Sequence, residues 1–153
     1  MRQTVVVLDF GAQYSQLIAR RIRELGVYCE IWPVNTPCPR FQEAKAIIFS
    51  GGPASIYDPE SPKCDPGILE EGIPVLGICY GQQLLASLLG GKVASAPSAE
   101  YGKTQLELVE TEDLFAGLAS PFTAWMSHKD LVTELPSGCK ILAKSQHCPV
   151  AAF

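Results

Sequence analysis

The chain has 153 residues, a formal net charge of −4, and 47% hydrophobic against 18% charged residues. That composition excludes a disordered chain, and the length suits one compact α/β domain better than two ordinary ones. The acidic balance contains no basic run or stripe, which argues against nucleic acid as a partner, and no apolar stretch approaches the roughly 20 residues that span a bilayer.

The first residues, Met1-Arg2-Gln3-Thr4, lack the apolar core and small-residue cleavage site of a secretory signal. The six cysteines, Cys29, Cys38, Cys64, Cys79, Cys139 and Cys148, show no C-x-x-C pair. Together these features predict reduced thiols in the cytoplasm rather than a disulfide framework. Neither the cysteines nor His128 and His147 show metal-ligand spacing, so no metal site is expected in this chain.

Thr4–Asp9 is a continuous β-branched run, the pattern of a strand buried on both faces. Between Tyr14 and Leu25 the apolar residues Tyr14, Leu17, Ile18, Ile22 and Leu25 recur every three or four positions, which predicts an amphipathic helix stopped by Gly26. Val27–Trp32 and Ala46–Phe49 read as strands separated by a proline-bearing loop. A further loop begins at Ser50-Gly51-Gly52-Pro53, and a short helix is expected over Asp65–Glu71.

A strand around Val75 leads into a helix from Tyr80 to about Leu89, which Gly90-Gly91 ends. Strands alternating with helices over short connections imply a doubly wound, mostly parallel sheet. Beyond this point Lys92–Ala96, Lys103–Val109, Phe122–Met126, Lys140–Ser145 and Val150–Phe153 read as strands without long helices between them, so some antiparallel pairing is expected in the C-terminal half. A strand-like final segment would leave a sheet edge uncovered.

The chemistry concentrates at Gly77-Ile78-Cys79-Tyr80-Gly81. A nucleophile on a sharp strand-to-helix turn occupies a strained backbone conformation, and side chains two positions away would collide with that turn. Glycines at those two places remove the collision. The turn raises Cys79 out of the sheet and sets it at a helix N-terminus, where the dipole favours a thiolate. A cysteine serving only as a small buried hydrophobe would not need the paired glycines, each of which costs about 0.5–1 kcal/mol relative to alanine.

Attack by a thiolate on a carbonyl creates an oxyanion, which backbone N–H groups of a preorganised turn can stabilise. Gly51-Gly52 supplies a backbone without side chains for that purpose, and the N–H of Tyr80 supplies a second donor. Asp9-Phe10-Gly11, Ser50-Gly51-Gly52 and Cys79 all follow strand ends, where doubly wound sheets place their sites.

Phe49-Ser50-Gly51-Gly52-Pro53 followed by Leu76-Gly77-Ile78-Cys79-Tyr80-Gly81-Gln82-Gln83 resembles the class I glutamine amidotransferases. Leu8 to Glu24 and Ala124-Trp125-Met126-Ser127-His128-Lys129-Asp130 are similar to the branch of that family that hydrolyses glutamine in making GMP. The resemblance covers Val5 to Phe153. It implies a flavodoxin-like fold and a single amidotransferase domain over residues 1–153, incomplete at its C-terminal end. It also implies release of ammonia from L-glutamine through a thioester on Cys79, for ATP-dependent amination of XMP.

By the same resemblance Gly52 and Tyr80 donate to the oxyanion, while Gly51, Gln83, Ser127, His128 and Asp130 hold glutamine. Lys129 is expected to be solvated, and His147 to lie in a surface turn. Ser127–Asp130 also fits a polar turn capping a short helix, with Ser127 as N-cap. No cofactor is expected in the chain itself: ATP and Mg2+ belong to an ATP-pyrophosphatase synthetase domain, and a homodimer to the complete enzyme.

The family's general base is a histidine oriented by a glutamate in a Phe-His-Pro-Glu run, and these residues contain no such run. The chain alone is therefore expected to hydrolyse glutamine slowly. A non-catalytic module binding glutamine or a partner, and a thiol hydrolase acting on another amide, are the alternatives.

Overall fold

A computed structural model describes residues 4–153, which form two compact units divided between Leu85 and Ala86.

In the first unit, β1 (Thr4–Asp9), β2 (Tyr28–Pro33), β3 (Ala44–Phe49) and β4 (Val75–Gly77) form a parallel sheet in the order β2-β1-β3-β4. The order reverses direction between β1 and β3, the switch point at which doubly wound sheets open a crevice beyond their strand ends. The apolar run of β1 accounts for its central place, since Val6, Val7 and Leu8 are wholly buried.

Helix α1 (Ser15–Glu24) makes the first crossover, and Gly26 with φ +77° ends it in the left-handed conformation that glycine adopts without strain. Val7, Ala19 and Cys29 form a buried cluster, against which Ile18, Ile22, Ile31 and Ile48 pack. The next crossovers carry 3-10 turns at Cys38–Glu43 and Pro66–Glu70. The helix expected over Asp65–Glu71 is thus a tighter turn, entered through Pro66 and capped by the Asp65 carboxylate, which accepts from the Gly67 N–H at 2.9 Å.

Helix α2 (Tyr80–Leu88) follows β4 and contains the division between the units. The second unit is antiparallel, as expected of this half: β5 (Lys92–Leu108), β6 (Phe122–Glu134) and β7 (Ala143–Lys144) lie in the order β6-β5-β7. The two strands expected at Lys92–Ala96 and Lys103–Val109 are one strand, interrupted in its pairing by a register shift between Ser95 and Glu100. The strand expected to end at Met126 continues to Glu134, and that expected over Val150–Phe153 is reduced to a single bridge from Ala152 to Ala143. Among the described residues no helix is long and apolar enough to cross a membrane.

Candidate active site

Cys79 lies two residues beyond β4 and immediately before α2, with φ +54°. That conformation costs a residue with a Cβ roughly 1–3 kcal/mol and persists only where its surroundings enforce it. Ile78 N–H donates to the Phe49 carbonyl at 3.0 Å, which extends the parallel pairing to the residue before the turn. Gly81 N–H donates to Ile78 at 3.0 Å and Gln83 N–H to Cys79 at 3.1 Å, so the helix begins on the cysteine's own carbonyl.

The flanking glycines are required by space. A Cβ on Gly77 would lie 2.7 Å from the Gln82 nitrogen and from the Gly81 carbonyl. One on Gly81 would meet the Phe49 carbonyl oxygen and lie 2.7 Å from the Phe49 side chain. β3, β4 and the start of α2 therefore approach as closely as backbone allows, as a strand-helix nucleophile turn demands.

Gly51 and Gly52 leave the end of β3 at this same place. A Cβ built on Gly51 would be 3.4 Å from that of Cys79, which makes the two residues direct neighbours. One on Gly52 would lie 2.6 Å from the Phe10 carbonyl oxygen, so Gly52 is pressed against the end of β1. Ser50, wholly buried, accepts from Phe10 N–H at 3.0 Å and donates to the Gly51 carbonyl at 3.0 Å. This hydroxyl joins the ends of β1 and β3 at the switch point. Its place before a glycine pair at a strand end is legible in the sequence, but its link to Phe10, 40 positions away, is not.

Tyr80 has a structural side chain and an available backbone. The ring is buried against Phe10, with centroids 5.5 Å apart, and Phe10 packs on Phe49 at 5.3 Å. Its hydroxyl donates to the Pro62 carbonyl at 2.6 Å, tying the loop that follows β3 to the helix start, and burial raises the phenol's pKa. The backbone N–H belongs to the first turn of α2, where no intrahelical acceptor exists. Gln83, buried, lies one turn further along.

Burial raises the pKa of Cys29 and Cys148, and pushes Cys64 up to about 11. Such thiols are protonated at neutral pH and poorly nucleophilic.

The first unit thus brings together Gly51, Gly52, Cys79, Tyr80 and Gln83. Ser127, His128 and Asp130 lie in the second unit on β6, where strand alternation sends Ser127 and Lys129 to the exposed face and His128 and Asp130 inward. Strand pairing of Ser127 with Tyr101 and His128 with Glu100 excludes the polar turn and short helix that this segment could also have formed. His147 is exposed in a turn.

Asp130 Oδ1 accepts from Ser95 Oγ at 3.0 Å. His128 Nδ1 faces the Asp130 carbonyl at 3.1 Å and therefore donates to it, since a carbonyl only accepts. Nε2 pairs with Glu100 Oε2 at 3.0 Å, and Ser145 Oγ donates to Glu100 Oε1 at 2.7 Å.

Glu100, His128 and Cys148 offer donor atoms all within 4.8 Å of one another. Sequence spacing could not show this cluster, because its members are 20 or more positions apart. Glu100 went unnoticed as well, although its place two, four and six residues before Gly102, Thr104 and Leu106 puts it on the inward face of β5.

The family model for "Glutamine amidotransferase class-I" matches residues 6–153. The chain is 54% identical to the GMP synthase [glutamine-hydrolyzing] of Caldicellulosiruptor saccharolyticus over 153 residues, covering 99% of this chain and 30% of that protein. The Clostridium perfringens protein of the same name is also 54% identical, again with 30% of its length covered. The chain thus spans about a third of the curated relatives it matches.

Among solved structures, a protein from Thermoplasma acidophilum described as a GMP synthase subunit aligns with TM-score 0.82 and 29% identity over 98% of this chain and 76% of that one. A glutamine amidotransferase from Thermotoga maritima shares the fold, with TM-score 0.78 and 21% identity over 98% of this chain and 70% of that one. The chain belongs to the class-I glutamine amidotransferase family.

Proposed function

We propose that this chain hydrolyses the side-chain amide of L-glutamine, and that the ammonia is used by a synthetase portion of the same protein for ATP-dependent amination of XMP to GMP. The relatives named GMP synthase at 54% identity support the acceptor. The observation that carries the chemistry is Cys79 held at φ +54° between glycines that admit no side chain.

In this reading the Cys79 thiolate attacks the amide carbon, and the oxyanion takes hydrogen bonds from the N–H groups of Gly52 and Tyr80. Collapse breaks the C–N bond and releases ammonia, which needs a proton delivered to the leaving nitrogen. Water then cleaves the thioester to glutamate and restores the thiol. Gly51 gives the substrate access to the turn, and Gln83, Ser127, His128 and Asp130 hold glutamine. Both ring nitrogens of His128 are engaged by Asp130 and Glu100, so its contact with substrate is assigned to the backbone.

Proton delivery is assigned to the histidine and glutamate of a Phe-His-Pro-Glu run, which these 153 residues do not contain. ATP and Mg2+ are assigned to the synthetase portion, with dimerisation in the complete enzyme and a cytoplasmic location. The Glu100, His128 and Cys148 cluster does not suit Mg2+, which prefers oxygen ligands throughout.

A diazoketone analogue of glutamine tests the site. One adduct on Cys79, suppressed by excess glutamine and read by mass spectrometry, is the expected result. No adduct, with glutamine still bound, would instead support the non-catalytic module.

A further inference from the structure

We propose that Glu100 is a positioning residue for glutamine: it grips His128 and Ser145 across a break in the β5-β6 ladder and so fixes the backbone of Ser127–Asp130. The inference rests on the reading that this segment holds the substrate.

The break makes such a device necessary. Ser95 pairs with Asp130 and Glu100 with His128, so β5 advances five residues while β6 advances two. Residues 96–99 bulge out opposite Lys129, and regular ladder bonds cannot fix the spacing of β6 there. Side chains at the two ends of the bulge replace them. At one end Ser95 Oγ donates to Asp130 Oδ1 at 3.0 Å, and at the other Glu100 Oε2 pairs with His128 Nε2 at 3.0 Å.

Glu100 has two attachments, one on each oxygen. Ser145 Oγ donates to Oε1 at 2.7 Å and accepts from Cys148 N–H at 3.0 Å, which links the carboxylate to the turn after β7. The Glu100 side chain is only 6% exposed and that of His128 9%. In such surroundings a carboxylate bonded to imidazole on one side and hydroxyl on the other is directional and strong, because water does not compete for either oxygen. His128 carries the constraint into the segment through Nδ1–H and the Asp130 carbonyl, 3.1 Å away. The imidazole thus spans from β5 to the backbone two residues on.

Removing the carboxylate frees the ring and lets Ser127–Asp130 sample other registers at the bulge. Substrate binding then weakens, while the thiol and the ammonia-dependent half-reaction do not change.

The test uses the complete enzyme, with steady-state kinetics on glutamine and, separately, on ammonia. Glu100→Ala should raise KM for glutamine about tenfold and change kcat less than about threefold, with ammonia-dependent synthesis as in the wild type. Glu100→Gln can accept from His128 and donate to Ser145, and should return KM to within about threefold of wild type. Ser145→Ala removes one of the two attachments and should fall between.

An unchanged glutamine KM in Glu100→Ala with intact ammonia-dependent synthesis would overturn the inference. If Glu100→Ala does not fold, Ser145→Ala decides, and an unchanged KM there would overturn it equally. Asp130→Ala separates the two readings. If it shifts KM while Glu100→Ala does not, the positioning role alone fails; if neither shifts it, the substrate role of the segment fails too.

Discussion

The two units hold their candidate site residues by opposite means. At Cys79 the backbone does the holding, through glycines at 77 and 81, a positive φ and strand ends brought within contact of one another. Around His128 the backbone pairing is interrupted and side chains hold the segment, with Glu100, Ser145, Ser95 and Asp130 in one hydrogen-bonded set. A backbone-built site fails through steric intrusion, whereas a side-chain-built site fails through loss of a partner.

The largest expected effect tests the first half of that contrast. Gly81→Ala places a methyl group against Phe49, with its Cβ 2.7 Å from that of Phe49. Helix propensity alone would favour alanine by about 1 kcal/mol. The overlap costs about 1–3 kcal/mol and displaces Cys79, so stability should fall and glutamine hydrolysis drop by about 10²-fold or more. Denaturant unfolding and ammonia release measure the two effects, and a stabilised, active Gly81→Ala would contradict the close packing.

A smaller effect concerns the thiols that the fold keeps neutral. The Cys64 pKa rises from its ordinary 9.0 to about 11 in the folded protein, chiefly through burial. The unfolded chain therefore loses that proton first as pH rises. Stability is intact below pH 9 and declines toward pH 11, by on the order of 1–2 kcal/mol for this group. Burial at Cys29 and Cys148 acts in the same direction. Cys64→Ala should flatten the decline of the urea midpoint over that interval, and an equal slope in wild type and variant would count against it.

The smallest effect sharpens the contrast inside β6. Lys129 lies on the exposed face of β6, between the inward-facing His128 and Asp130. Lys129→Ala should leave KM for glutamine within about twofold and stability within about 0.5 kcal/mol. A larger change in glutamine kinetics would give the outward face of the bulge a role of its own.

The same contrast explains what could be read from the residues. Glycine spacing around Cys79, the β-branched run of β1 and the helical periodicity before Gly26 are local signals, because each reports a constraint between near neighbours in sequence. The course of β5 was less legible: Lys92–Ala96 and Lys103–Val109 read as two strands, and the chain instead bulges within one. Glu100 reaches His128 across 28 positions and Ser145 across 45, and no local pattern announces pairings of that range. Its inward register on β5 was the available clue, provided that Lys103–Val109 was extended back beyond Gly102.

The φ of +54° at Cys79 also sets stability against activity at a single residue. Glycine would relax that conformation, and the relaxed protein would have no nucleophile. Sequence drift that rewards only a firmer fold therefore pulls this residue toward an inert form. A cysteine kept here marks a turn in which stability has been yielded to chemistry.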